Sequence, residues 1–142
     1  MDSHPRFGLT TGDGRPPRVA IVDANPASSM VSVALVRQFG CMAVVATGGE
    51  AALSLLRRDG SIDLVILDLG TSDREGLVLA QLIRTLGDRG TMPIIGLAAG
   101  PRLPGRAAGF SASLKKPYSP RELHAVMRDA LDRARAVMSG DR

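Results

Sequence analysis

Three charged side chains follow directly after short apolar runs of the sequence. Asp23, Asp68 and Lys116 come after the first, third and fifth of five such runs. In an open parallel sheet, a reactive site lies beyond the carboxyl ends of the strands, near the point where the strand order reverses. Two carboxylates and one ammonium at that edge could hold a divalent cation and a phosphoryl group. A single Asp after a strand is usually only a turn residue or a helix cap, so the hypothesis depends on all three together.

The elements that must position these side chains alternate along the chain. Short β-type apolar runs are followed by longer stretches with helical spacing, which is typical of βα units around a parallel sheet. The third run is apolar at every position, as expected of a central strand covered on both faces. The predicted strands are residues 19–22, 43–46, 64–67, 93–97 and 111–115.

The last predicted helix has a clear start signal. Ser119 is a candidate N-cap, Pro120 follows it at the first helical position, and Glu122 completes a capping box. His124 lies on this helix, where we expect it to be solvent exposed and not a catalytic base.

The segment between the fourth and fifth strands is unlike the other connections. Prolines and glycines crowd residues 99–109, and each disfavours an α-helix, by ~3 kcal/mol for Pro and ~1 for Gly. We expect a loop, or a single turn near residues 104–108, in place of a fourth helix. Such a loop would leave the fourth and fifth strands open as a partner or self-association surface, with Leu103, Phe110 and Leu114 as its apolar contributors.

Length and composition predict one domain with two short tails. The chain has 142 residues, of which 44% are hydrophobic, and a single cysteine, Cys41, which excludes a disulfide framework. Residues 1–17 are rich in Gly and Pro without apolar periodicity, which predicts a flexible or loosely docked tail. The predicted domain covers residues 18–138, and residues 139–142 form the second tail.

The same composition argues against several classes of partner. The sequence lacks both an apolar run of the ~20 residues that a membrane helix needs and the apolar block of a signal peptide, so we expect a cytoplasmic protein that does not bind membranes. The net charge of +4 permits nucleic-acid binding. However, acidic residues are interleaved with the basic ones and aromatic residues make up only 3%, which disfavours it.

From about residue 18 to residue 137 the chain resembles the receiver domain of two-component response regulators. The resemblance is carried by Ile-Val-Asp at residues 21–23, Asp-Leu-Val-Ile-Leu-Asp-Leu at residues 63–69, and Lys-Pro-Tyr at residues 116–118. Glu75-Gly76 stands where the family usually has Asp-Gly. The resemblance implies a flavodoxin-like (βα)5 fold, an α/β three-layer sandwich with strand order 2-1-3-4-5, here with the fourth helix missing or shortened. It also implies a cis Lys116–Pro117 peptide.

The resemblance further assigns roles to the residues at the strand ends. It implies that Asp68 is the phosphoacceptor, that Lys116 contacts the phosphoryl group, and that Asp23 is the first member of an acidic pair. Asp23, Asp68 and the backbone carbonyl of Gly70 would then hold Mg²⁺. It implies a signalling module and not an enzyme.

Three positions depart from the family pattern. Ala24 replaces the second acid of the pair, the family's direct metal ligand, so we expect Mg²⁺ binding weakened roughly ten- to a hundred-fold. Ala98 stands where receivers place a Ser or Thr that contacts the phosphoryl group. Ser113 replaces the aromatic residue that switches rotamer on the fifth strand.

These observations leave two functions open. The first is a single-domain receiver in a phosphorelay, phosphorylated on Asp68 by a histidine kinase or phosphotransfer protein and acting through a downstream protein partner or as a homodimer. The alternative is a pseudo-receiver, an interaction module that needs neither phosphate nor Mg²⁺. A flavodoxin-like enzyme or nucleotide binder is disfavoured because no Gly-rich phosphate loop follows the first strand.

Overall fold

The computed structural model describes residues 8–70, 74–87, 89–100 and 102–138, and within them the predicted alternation of strands and helices is confirmed. The strands are β1 (Arg18–Val22), β2 (Met42–Ala46), β3 (Leu64–Gly70), β4 (Ile94–Ala98) and β5 (Ala112–Lys115). The α-helices in this part of the chain are α1 (Pro26–Gln38), α2 (Gly49–Arg58), α3 (Arg74–Arg84) and α4 (Pro120–Met138). Short 3₁₀ turns lie at Arg89–Thr91 and Arg106–Ala108.

The five strands form one parallel sheet in the order β2-β1-β3-β4-β5, as predicted. Leu67 of β3 pairs with Val22 of β1 and with Gly96 of β4. Because all strands run in the same direction, the carboxyl ends of β1, β3 and β5 lie at one edge of the sheet. The sheet therefore brings the three predicted site residues to a common edge.

The core has two apolar layers, one on each face of the sheet. Alternate residues of β3 enter opposite layers: Val65 and Leu67 pack with α2 and α3, whereas Leu64 and Ile66 pack with α1 and α4. All four are at most 2% exposed, which confirms a central strand covered on both faces. The result is the predicted three-layer α/β sandwich of the flavodoxin-like type.

Local sequence signals fix the start of two helices. Glu122 accepts a hydrogen bond from the backbone N–H of Ser119 at 2.8 Å, and its own N–H donates to the Ser119 hydroxyl at 3.1 Å, so the predicted capping box is confirmed. Asn25 caps α1 by accepting from the N–H groups of Ala27 at 2.9 Å and Ser28 at 3.2 Å. The cap sets α1 immediately after the end of β1.

The connection between β4 and β5 has no α-helix in its described part, as predicted. Its side chains nevertheless pack against the sheet. Phe110 is 1% exposed, so the expectation that it contributes to an open apolar surface is wrong. A Cβ on Gly96 would lie 2.9 Å from Cε2 of Phe110, which shows how closely the ring covers β4. Leu114 is half-buried and packs with the layer of α1 and α4, and of the three predicted contributors only Leu103 is exposed.

Part of the predicted N-terminal tail is docked on the domain. Residues 1–7 lie outside the described residues, but Leu9 is buried and its N–H donates to the carbonyl of Phe39 at 2.8 Å. Arg15 makes two hydrogen bonds to the carboxylate of Asp63, at 2.9 and 2.7 Å. Of the two predicted alternatives, residues 8–17 follow the docked one, because one apolar side chain and one ion pair attach them to the domain. Residues 139–142 of the second tail also lie outside the described residues.

Three further observations complete the fold. His124 is buried, and its ring lies edge-to-face with Phe39 at a centroid distance of 5.0 Å, so the expected exposure of His124 is wrong. The Lys116–Pro117 peptide is cis, as the resemblance implied. Among the described helices, none has the length and apolar character needed to cross a membrane.

Candidate functional site

The structure brings Asp68 and Lys116 together at the carboxyl edge of the sheet. The Lys116 ammonium donates a hydrogen bond to Oδ2 of Asp68. The Asp68 side chain is 6% exposed and that of Lys116 is 31% exposed. Asp68 is therefore nearly buried, whereas solvent reaches Lys116. The backbone N–H of Lys116 donates to the carbonyl of Ala98 at 2.8 Å, which fixes the end of β5 beside β4.

Asp23 lies at the same edge and is held by its own loop. It is 7% exposed, and its Oδ1 accepts from the N–H of Asn25 at 2.9 Å. Its Oδ2 accepts from the hydroxyl of Ser28. Both carboxylate oxygens of Asp23 are therefore engaged by groups at the start of α1.

Ser28 is a site residue that the sequence analysis missed. Its Oγ contacts Asp23 and also lies 3.3 Å from Oδ2 of Asp68, so one hydroxyl joins the two carboxylates. The signal for it was present in the sequence, since Asn25 caps α1 and Ser28 is the third residue of that helix. The first turn of a helix that follows β1 must lie at the carboxyl edge of the sheet.

These residues border a cleft of about 330 Å³. Glu75 and Gly76 at the start of α3 also line it. A Cβ on Gly76 would lie 2.0 Å from Cδ2 of Leu69, so glycine lets α3 begin in close contact with the end of β3. Close packing at the cleft wall thus explains Gly76.

The residues present do not fit a complete Mg²⁺ centre. Ala24 lines the cleft with a methyl group, and both oxygens of Asp23 already accept hydrogen bonds. No cluster of three His, Cys, Asp or Glu side chains suited to a metal occurs in the described ranges. Gly70, predicted to supply a backbone carbonyl, ends β3 and pairs with Ala98. Mg²⁺ requires near-octahedral oxygen ligands, and with Ala24 in the lining the cleft has one carboxylate fewer than the family pattern implies.

The two positions predicted to have lost switching groups lie on β4 and β5. Ala98 is 1% exposed at the end of β4 and brings no hydroxyl to the cleft. The Ser113 hydroxyl donates a hydrogen bond to the carbonyl of Pro104. Ser113 therefore attaches the β4–β5 connection to the sheet.

A second groove of about 570 Å³ adjoins the cleft. Its walls come from α1 and from the segment between β5 and α4, and Asp68 and Lys116 lie within its lining. Val31 in this groove is 58% exposed. The groove thus joins an apolar surface to the Asp68–Lys116 pair. Its remaining lining residues are Ser28, Ser32, Leu35, Pro117, Tyr118 and Pro120.

Comparisons with known proteins agree on one protein family. A family model described as the response regulator receiver domain matches residues 19–128. The chain is 30% identical over 127 residues to the transcriptional regulatory protein BaeR of Escherichia coli O6:H1 (strain CFT073), covering 87% of this chain and 51% of BaeR. It is 29% identical over 120 residues to the sensor protein GacS of Pseudomonas syringae pv. syringae, covering 80% of this chain and 13% of GacS. The chain therefore spans about half, or much less, of these relatives.

Solved structures show the same fold. The receiver domain of the sensor histidine kinase PA1611 from Pseudomonas aeruginosa PAO1 matches with a TM-score of 0.72 and 22% identity. The match covers 82% of this chain and 98% of that domain. That structure has a magnesium ion coordinated in its active site cleft.

Proposed function

Because the chain belongs to the response regulator receiver domain family, a family of two-component signalling modules, we propose that it accepts a phosphoryl group from a phosphohistidine onto Asp68. The observation that carries this proposal is the contact between the Lys116 ammonium and Oδ2 of Asp68 beside an open cleft. A nucleophilic carboxylate and a fixed cation beside it are two of the groups that phosphoryl transfer to a side chain uses. The phosphorylated protein then signals through protein contacts.

The chemistry assigns one task to each of these two side chains. A carboxylate oxygen of Asp68 attacks the phosphorus, and the bond from phosphorus to the donor's imidazole nitrogen breaks with its electron pair passing to the imidazole. The product is an acyl phosphate on Asp68. The Lys116 ammonium stabilises the negative charge of the phosphoryl oxygens as they leave the donor.

Mg²⁺ is proposed as a weak ligand of this cleft. Receiver domains bind Mg²⁺ in their active site, and the PA1611 receiver holds one in its cleft. Asp23, Asp68 and Gly70 are the groups that would hold it here. Since Ala24 supplies no carboxylate, we assign no step of the transfer to the metal.

The phosphodonor is proposed to be a histidine kinase or a phosphotransfer protein that docks in the groove beside the cleft. A donor histidine must reach Asp68, and the groove offers an apolar surface continuous with it. Lys116 lines both the groove and the cleft and is partly exposed, which leaves a path for the phosphoryl group. A downstream protein, or a second copy of this chain, is proposed to read the phosphorylated form.

Intact-mass measurement with a small phosphodonor, with and without excess Mg²⁺, tests the proposal. We expect the wild type to gain the mass of one phosphate and Asp68→Asn to gain none. Asp129→Asn, an exposed carboxylate on α4 with a partner at i+4, is the matched control and should behave as the wild type. A wild type that gains no phosphate under any of these conditions would overturn the proposal.

The pseudo-receiver function is the second candidate. Ala98 brings no hydroxyl to the cleft, and Ser113 binds the Pro104 carbonyl where the family has a mobile aromatic side chain. Under this alternative, a partner binds the unphosphorylated chain and Asp68→Asn leaves that binding unchanged. Absence of phosphate gain together with such binding would favour it.

A further inference from the structure

A separate cavity of about 350 Å³ lies at the edge of the sheet opposite the cleft. Its walls are α4, the end of α3 and the segments that precede β4 and β5, represented by Pro93 and Ser111. The amino ends of β4 and β5 therefore border it, whereas Asp68 and Lys116 lie at carboxyl ends of strands. The cavity is thus distinct from the proposed phosphorylation site.

The described wall of the cavity carries positive charge. Arg84, Arg106 and Arg133 line it, and no Asp or Glu is among its described lining residues. Arg133 does pair with Asp129 at 2.9 Å along α4, but both of these side chains are more than half exposed. Exposed pairs of this kind are weak and leave the guanidinium able to bind another anion.

Among the residues that the structure describes, backbone carbonyls hold Arg84 in place. Its guanidinium donates to Gly109 at 3.1 and 2.6 Å, to Gly90 at 3.3 Å and to Met92. Among the described residues, no carboxylate forms an ion pair with it, and burial lowers the pKa of Arg84. A half-buried cation that is oriented but not neutralised favours an anion in the adjoining space.

The rest of the lining is apolar or carries a hydroxyl. Phe110 is 1% exposed and Ala130 is 4% exposed, so they form a packed floor together with Pro93. The Ser111 oxygen accepts from the N–H of Ile94 at 3.0 Å, which leaves its hydroxyl proton for another acceptor. Arg106 is exposed at the rim, on the short turn that stands in place of a longer helix.

We propose that this cavity binds a small organic phosphate, with the phosphate among Arg84, Arg106 and Arg133 and the organic part against the apolar wall that includes Ala130 and Ala134. Guanidinium groups bind phosphate oxygens in paired, directional hydrogen bonds, which lysine cannot match. The volume lies at the lower end of the range for small-molecule sites and suits a ligand the size of a nucleoside monophosphate. This site is independent of the proposed phosphorylation of Asp68.

Calorimetric titration of the full chain with adenosine monophosphate and with inorganic phosphate tests the proposal. We expect saturable binding of the nucleotide below about 1 mM and clearly weaker binding of inorganic phosphate, which has no organic part. Arg106→Gln and Arg133→Gln should each weaken nucleotide binding by about tenfold or more. Both arginines are exposed, so these substitutions leave the fold intact.

Matched variants separate this site from general charge effects. Arg57→Gln removes the same charge from an exposed position on α2 and should leave binding unchanged. Ala134→Glu adds a carboxylate to the cavity wall and should abolish binding without altering any arginine. Lys116→Gln should leave nucleotide binding unchanged, because Lys116 lies at the other edge of the sheet.

Four results would overturn the proposal. They are absence of saturable binding to the wild type, equal affinity for phosphate and nucleotide, equal weakening by Arg57→Gln, and loss of binding in Lys116→Gln. The second would reduce the site to one for free anions, the third would show a net-charge effect, and the last would place the anion in the cleft of Asp68.

Discussion

The hydroxyl oxygen of Ser28 lies 3.3 Å from Oδ2 of Asp68. The same hydroxyl donates to Asp23, so Ser28 contacts both carboxylates. The neighbouring strand end offers only the methyl group of Ala98. Ser28 is therefore the described hydroxyl placed to contact a phosphoryl group on Asp68.

Ser28→Ala should slow phosphorylation of Asp68 by about tenfold, because a hydrogen bond to a charged group is lost. Ser28→Thr keeps the hydroxyl and should stay near the wild-type rate. Time courses of intact mass with a small phosphodonor measure both. Ser29→Ala is the control, since Ser29 is buried one residue further along α1 and donates to the Pro26 carbonyl. Equal rates for wild type and Ser28→Ala would contradict a role for the hydroxyl.

Ala24→Asp should tighten Mg²⁺ binding, by roughly ten- to a hundred-fold, because it returns a carboxylate to the cleft lining. Magnesium titrations of the wild type and the variant measure the change. Ala51→Asp adds the same charge at an exposed position on α2 and should leave the affinity unchanged. If the wild type and Ala24→Asp bind Mg²⁺ equally, another group already supplies the missing ligand.

The strand order and the edge that holds Asp23, Asp68 and Lys116 could be predicted from the sequence. Apolar runs that end in charged residues are local signals of the strands and of the site. The βα alternation indicates a parallel sheet, and the family resemblance supplies the order of its strands. The lack of an α-helix in the described part of the β4–β5 connection could also be predicted, because prolines and glycines disfavour a helix within their own segment.

The missed features depend on contacts between residues far apart in the chain. Leu9 packs beside Phe39, His124 contacts the ring of Phe39 edge-to-face, and Phe110 covers Gly96. No periodicity or spacing in the sequence signals these contacts. Each depends on which side chain fills the space that its neighbours leave in the core. Sequence patterns predict which segments form elements but not how an irregular segment packs on them.

Gly96→Ala should destabilise the domain by about 1–3 kcal/mol, the usual cost of overpacking a core. The added Cβ would lie 2.9 Å from Cε2 of Phe110 and 3.4 Å from Cγ of Pro104, and the buried ring has little room to move. Urea unfolding followed by circular dichroism measures the free energy of unfolding. Gly105→Ala lies in the same connection with nothing within 4 Å of its Cβ and should be nearly neutral. Similar losses for both variants would mean that the close packing of Phe110 is not the cause.

The stability of the domain should fall in acid partly through Asp59. Hydrogen bonds from the hydroxyl and backbone N–H of Ser61, and then from Arg18, lower the pKa of Asp59 to about 2. A carboxyl whose pKa is lower in the folded state than in the unfolded chain stabilises the fold above its ordinary pKa near 4. That contribution is lost as the pH falls towards 2.

Asp59→Asn should therefore be less stable than the wild type at pH 7, and the difference between them should shrink between pH 4 and pH 2. Urea unfolding at pH 7, 4, 3 and 2.5 measures the free energy of unfolding of both proteins. Asp129→Asn, whose partner Arg133 is an exposed neighbour on α4, should show little change with pH relative to the wild type. If the difference between wild type and Asp59→Asn stays constant over this range, the hydrogen bonds to Asp59 do not depend on its charge and the assigned pKa shift is wrong.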